Sequence, residues 1–178
     1  MERTSPIRKS AKNAGFSLIE LLIVVAIILI IAAVAIPNLL RARIAANESS
    51  AAASVRSVAT AEVTYNAAYP TVGYALALAN LGGLATGCTP SSATACLIDP
   101  VLSTGAKSGY TFKATGFPSG ASAMNVTFVV GSAPLAFNQT GVRNFCIATD
   151  AVLRSNPGVS GGLPAPDVAT CVAYAVAQ

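Results

Sequence analysis

Gly15-Phe16-Ser17-Leu18-Ile19-Glu20 opens a run that stays apolar from Leu21 to Ile36. Everything else in the chain is best read outward from this stretch. Phe16 to Ile36 is 21 residues, about 32 Å as a helix, which is enough to cross a hydrocarbon core. One carboxylate interrupts it. A charge at the centre of a membrane helix costs about 2.5–3.5 kcal/mol or more, so intramembrane acids usually carry function.

Ahead of the run lies a polar leader containing Arg3, Arg8, Lys9 and Lys12. Those four cations, against Arg41 and Arg43 on the far side, favour a cytoplasmic leader. A conventional cleaved signal peptide would use Ala33-Val34-Ala35 as its small-x-small site. The apolar stretch is long for that, and Glu20 in its first turn argues against it. A plain single-pass anchor tolerates Glu20 at the interface but leaves the Gly-Phe junction unexplained.

Leader, Gly15-Phe16 junction, Glu20 and apolar helix together resemble the N-terminus of a type IV prepilin, from Lys12 to about Arg43. The resemblance implies that an intramembrane peptidase cuts between Gly15 and Phe16 and methylates the new N-terminus. It also gives Glu20 a role in assembly register, with the Phe16 ammonium of an adjacent subunit as partner. The pair sets where helices stop sliding, because displacement leaves two charges buried and unpaired. Function follows as an expectation: a structural subunit of a type IV pilus, a homo-polymeric helical filament. The precursor is expected in the bacterial inner membrane, and the filament is built by a dedicated assembly machinery at the cell surface. Pseudopilins of type II secretion systems share this N-terminus and form the alternative, as does a membrane-anchored binding protein that never polymerises. Calcium is frequent in major pseudopilins. Here the C-terminal region offers only Asp150 and Asp167, a poor oxygen set for a tight site.

The bulk numbers exclude more than they assign. The net charge is +4, but the leader supplies +3 of it. From Phe16 onward seven basic residues face six acidic ones, so nucleic-acid binding is not indicated. The chain has no histidine. No paired carboxylates, activated nucleophile, phosphate-cradling glycine motif or metal-ligand cluster appears. No enzyme, catalytic residue, metal or cofactor is expected.

Pro37 ends the uninterrupted apolar run and is expected to kink or locally melt the helix. Helical periodicity nevertheless continues through Ile44, Ala51, Val55, Val58, Ala61, Tyr65 and Tyr69. Pro70 then disfavours helix at Tyr69. The chain therefore divides into a leader (1–15), a transmembrane and assembly half-helix (16–37), an amphipathic half-helix (38–69) and a disulfide-tied head (70–178). A helix from Phe16 to Tyr69 is roughly 80 Å long if straight. The expected fold class is α+β, with a small antiparallel sheet packed on the distal half of that helix.

Within the head, Gly82 to Thr94 reads as a connecting loop, and a short helix is expected around Asp99–Ser103. Strands are expected at Tyr110–Ala114, Asn125–Val130 and Phe145–Thr149, with a weaker fourth at Cys171–Ala175. Asn138-Gln139-Thr140-Gly141 reads as a turn and Ser155–Pro166 as a surface loop. Cys88, Cys96, Cys146 and Cys171 all follow the apolar run. An even number in an exported segment argues for two disulfides. Three pairings are possible; Cys88–Cys96 with Cys146–Cys171 closes the shortest loops. Asp150 and Arg154 fit a structural ion pair, and Tyr65 and Tyr69 fit aromatic packing of helix on sheet. The sequons at Asn47, Asn125 and Asn138 lack an acidic residue two positions upstream and are read as chance.

Overall fold

The computed structural model describes residues 15–83, 86–120 and 123–177. The leader, residues 1–14, lies outside the described residues. The chain forms two compact units, one ending at Leu39 and one running from Leu40 onward. One helix, α1 (Leu18–Ala68), supplies residues to both.

In the first unit α1 carries no core. Nearly every side chain from Phe16 to Leu39 is exposed, including Leu18, Leu22, Val25, Leu29 and Ile36. The backbone stays helical through Pro37, so local melting, one of its two expected effects, does not occur.

The second unit is an α+β fold. After α1 come α2 (Leu78–Leu81) and α3 (Pro100–Ser103), then β1 (Ala106–Lys107), β2 (Tyr110–Pro118), β3 (Asn125–Pro134), β4 (Arg143–Ala148) and β5 (Arg154–Pro157), closed by α4 (Val168–Val172) and β6 (Ala175–Val176). The six strands form one antiparallel meander in sequence order. Asp99 caps α3, its side chain accepting from the Leu102 N–H at 2.9 Å, which satisfies a first-turn donor.

Side-chain alternation gives the sheet two buried faces. Tyr110, Phe112, Ala114, Phe128, Val130, Phe145 and Ile147 pack with Ala51, Val55, Val58, Ala61 and Tyr65 of α1 in the main core. Val129, Cys146 and Ala148 face the other way, under Ala165 and Cys171 of the C-terminal segment. That second cover explains two departures from expectation. The region 171–175 is not one strand, and only Ala175 enters β6: Asp167 caps α4, accepting from the Thr170 N–H, and Cys171 is held in that helix by its bond to Cys146. The stretch 155–166 is not wholly loop either. Arg154–Pro157 pairs with β4 and takes β6 on its other side.

Candidate functional site

The junction is simple in geometry. Gly15, Phe16 and Ser17 are non-helical, and Leu18 begins α1. The Ser17 carbonyl accepts from the Glu20 and Leu21 N–H groups at 3.1 and 3.2 Å. Phe16 is 81% exposed, and a Cβ added at Gly15 would meet nothing within 4 Å. Among the described residues nothing crowds the backbone at the expected cut.

Glu20 sits in the first turn of α1, where a carboxylate complements the unsatisfied N–H groups of the helix start. Its side chain is exposed and has no hydrogen-bond or ion-pair partner among the described residues. The helix around it is apolar enough to cross a membrane: its richest 18-residue window has a mean hydropathy of 3.3 and none of it is buried.

The cysteines pair within the head. Cys88 is bonded to Cys96 and Cys146 to Cys171, with Cα separations of 6.2 and 5.8 Å. The first closes the loop after α2; the second ties β4 to α4. Asp150 and Arg154 form an ion pair, with Arg154 Nη1 donating to Asp150 Oδ1 at 3.0 Å. That pair holds the Asp150 carboxyl below its ordinary range. Tyr65 is buried in the main core, 4.9 Å from Tyr69 between ring centroids, and donates to the Ser92 carbonyl at 2.6 Å. Among the described residues no group of three or more His, Cys, Asp or Glu side chains could hold a metal.

Two acids on the distal half of α1 take roles that residue counting passed over. Glu48 is 7% exposed; its Oε1 accepts from the Val142 and Arg143 N–H groups, and its Oε2 from the Arg143 guanidinium. Glu62 is fully buried. Its Oε2 accepts from the Ala75 N–H at 2.8 Å, while Oε1 has no partner. Burial pushes its carboxyl up to about 7, against the opposing pull of that N–H. A signal for both was present. Glu48 and Glu62 continue the 3–4 stripe of Ala51, Val55, Val58 and Tyr65, so they face the core. Of the sequons, Asn125 is buried and donates to the Tyr74 carbonyl at 2.8 Å, and Asn47 donates to the Thr140 carbonyl at 2.9 Å. Both are engaged in holding the fold.

The apolar segment has a counterpart among protein families. Residues 10–36 match the model of the prokaryotic N-terminal methylation motif. The motif covers the leader end, Gly15, Phe16, Glu20 and the apolar run up to Pro37. The chain is 43% identical over 58 residues to the type IV major pilin protein PilA of Myxococcus xanthus, covering 33% of this chain and 26% of that protein. It is 69% identical over 39 residues to the type IV wide pilus major component PilA4 of Thermus thermophilus, covering 21% of this chain and 30% of that one. The chain thus spans less than a third of the length of these curated relatives. No solved structure matches it.

Proposed function

We propose that this protein is a structural subunit of a type IV pilus. It polymerises through residues 16–37 after cleavage at Gly15-Phe16 and methylation of the Phe16 amine. One observation carries the reading: a methylation motif lies on the first half of α1, which leaves its apolar side chains exposed and its one carboxylate, Glu20, without a partner among the described residues. Exposed apolar surface on that scale demands an environment, first a bilayer and then neighbouring copies. Lipid supplies the apolar contact for an isolated chain but gives Glu20 no counter-charge.

Neighbouring helices supply both. Processing creates an ammonium at Phe16, four residues from Glu20 in sequence. In a bundle of parallel helices, each offset along the last, the ammonium of one copy meets the carboxylate of another. The contact is heterologous, since donor and acceptor surfaces differ, so it propagates as an open helix of subunits. The partners on this reading are further copies of the chain, the peptidase and methyltransferase acting at the junction, and a machinery that lifts subunits out of the membrane.

The test is mass spectrometry of fibres sheared from the surface of cells making the protein. The expected result is this chain as a fibre component, beginning at methylated Phe16. A chain retained in the membrane with its leader uncut, or one starting at Ile36, overturns the proposal.

A further inference from the structure

A groove of about 400 Å³ runs between α1 and the start of β4. Arg41, Ile44, Ala45 and Glu48 form its helix side, Val142 and Arg143 its sheet side. Steps of three, four and seven residues from Arg41 keep the four helix residues on one face. All six belong to the unit that begins at Leu40. Ile44 and Val142 are half-buried and give the groove an apolar lining, while both arginines are exposed.

The two cations differ in their engagement. Arg143 commits Nε and Nη2 to Glu48 Oε2, and its guanidinium lies 5.3 Å from the centre of the Phe145 ring. It is thereby held in place, with Nη1 lacking a partner among the described residues. Arg41 has no ion-pair or hydrogen-bond partner among them. Glu48 cancels one of the two guanidinium charges, so the groove keeps a single positive charge.

The chain has no acid left to meet that charge. Asp99 pairs with Lys107 and Asp150 with Arg154. Asp167 caps α4, and Glu62 is fully buried. A second copy of the head therefore offers no free carboxylate, and Glu20 is already assigned to the Phe16 ammonium. Chain distance points to another anion. Arg41 follows Ile36, the last residue of the apolar run, by five residues, about 7.5 Å of helix. The headgroup layer flanking a hydrocarbon core is about 5–7 Å thick, so lipid phosphates lie within reach of Arg41.

We propose that this groove binds one anionic phospholipid, its phosphodiester between the Arg41 and Arg143 guanidiniums and its glycerol carbons against Ile44 and Val142. Guanidinium suits the role, since its forked N–H donors match phosphate oxygens. A single excess charge matches one phosphodiester. A zwitterionic lipid brings its own ammonium, which that charge repels. The site rests on the reading above in one respect only, that residues 16–37 occupy a bilayer before assembly. Arg43 supplies a control: it is exposed and close to Arg41 in sequence but does not line the groove.

The full chain is floated with phosphatidylcholine vesicles to establish insertion. It is then extracted in neutral detergent with equal amounts of phosphatidylglycerol and phosphatidylcholine, and retained lipid is counted by native mass spectrometry. One phosphatidylglycerol per chain is expected to be retained in preference. Arg41→Gln and Arg143→Gln should each lower that preference by about fivefold, and Arg43→Gln should leave it unchanged. Arg41 is exposed and unpaired, so Arg41→Gln keeps its fold, verified by circular dichroism and the absence of free thiols. Glycerol phosphate at the lipid's concentration should not displace the lipid. A chain that floats but shows no preference overturns the site and leaves the membrane reading standing; one that does not float overturns both. A preference undiminished in Arg41→Gln, or equally diminished in Arg43→Gln, overturns the groove. Displacement by glycerol phosphate overturns the lipid as its ligand.

Discussion

Glu48 on α1 reaches the start of β4 and is met there by Arg143, whose Nη2 lies 2.8 Å and Nε 2.9 Å from Glu48 Oε2. The other oxygen of Glu48 accepts from the Val142 and Arg143 backbone N–H groups. Two residues 95 apart in sequence thereby fix where the sheet begins along the helix. Asn47 holds the preceding turn through the Thr140 carbonyl, and the Tyr110 hydroxyl donates to the Arg143 carbonyl at 3.0 Å. The same burial that protects this cluster pushes the Tyr110 hydroxyl well above its ordinary range, aided by the Glu48 charge.

Glu48→Ala is therefore expected to destabilise the head by about 2–4 kcal/mol. It strands two backbone donors and one guanidinium. Glu48→Gln keeps an acceptor for the N–H groups and should lose less. Arg143→Ala should also lose less, because the arginine side chain is half exposed and its removal leaves Glu48 its backbone partners. Urea denaturation of the full chain in detergent checks the order. Equal losses for Glu48→Ala and Arg143→Ala would mean that the backbone contacts contribute nothing.

Glu62 makes the head sensitive to pH in an unusual direction. Its carboxyl is raised from 4.5 to about 7 by burial, so the folded state holds a proton that the unfolded state releases between those values. Stability from this group is fully present below about pH 4.5 and is lost as pH rises through about 7, a fall of about 3 kcal/mol. Asp99 and Asp150 act oppositely, but both are lowered below 3.8, so their losses begin only in stronger acid. Denaturation at pH 5 and pH 8 isolates Glu62. The wild type should be more stable at pH 5, and Glu62→Gln, which still accepts from the Ala75 N–H, should flatten the difference. An undiminished difference in the variant would assign the pH dependence elsewhere.

The two disulfides are expected to differ in worth. The Cys146–Cys171 bond closes a separation of 25 residues and Cys88–Cys96 one of 8. Loop-closure entropy alone gives about 3.5 against about 2.6 kcal/mol. Cys146 and Cys171 are moreover fully buried in the second core. Replacing Cys146 and Cys171 together by Ala should thus lower the melting temperature of the head more than replacing Cys88 and Cys96. It should also loosen the segment after β5, read as faster amide exchange at residues 158–166. The reverse order of melting temperatures would contradict this.

Much of the architecture was legible because it rests on local signals. The long helix follows from periodicity and from Pro70, and β2 and β3 follow from β-branched and aromatic runs. What escaped was set by tertiary contact. Arg154–Pro157 lacks strand composition and becomes a strand because β4 and β6 flank it. Cys171–Ala175 has strand composition, yet Cys171 and Val172 finish α4, which Asp167 caps and a disulfide anchors, and only Ala175 enters a strand. Glu48 and Glu62 lay on the apolar stripe in plain view. Each meets a backbone donor more than ten residues away that no local pattern reveals. The roles proposed for the junction and Glu20 rest on residue order alone, since they involve partners other than this chain's own fold.

Glu20 offers the sharpest test of how subunits would register. Glu20→Ala is expected to leave membrane insertion and leader cleavage near normal, since removing a carboxylate from an apolar helix favours insertion. Fibre yield should nevertheless fall. Glu20→Gln preserves shape but not charge and should assemble almost as poorly. Glu20→Asp retains charge with shorter reach and should fall between Gln and wild type. The quantity to measure is the ratio of fibre to membrane-resident subunit in each variant, since expression cancels from it. On the proposed reading residues 16–37 supply the attraction in every variant, so any difference in that ratio reports the charge pair and not the apolar contact. A Glu20→Gln protein that makes wild-type fibres at wild-type subunit levels would remove charge pairing as the registering element. Glu20 would then be a residue at the membrane interface, tolerated there because an acid in the first turn of a helix complements the dipole of its start.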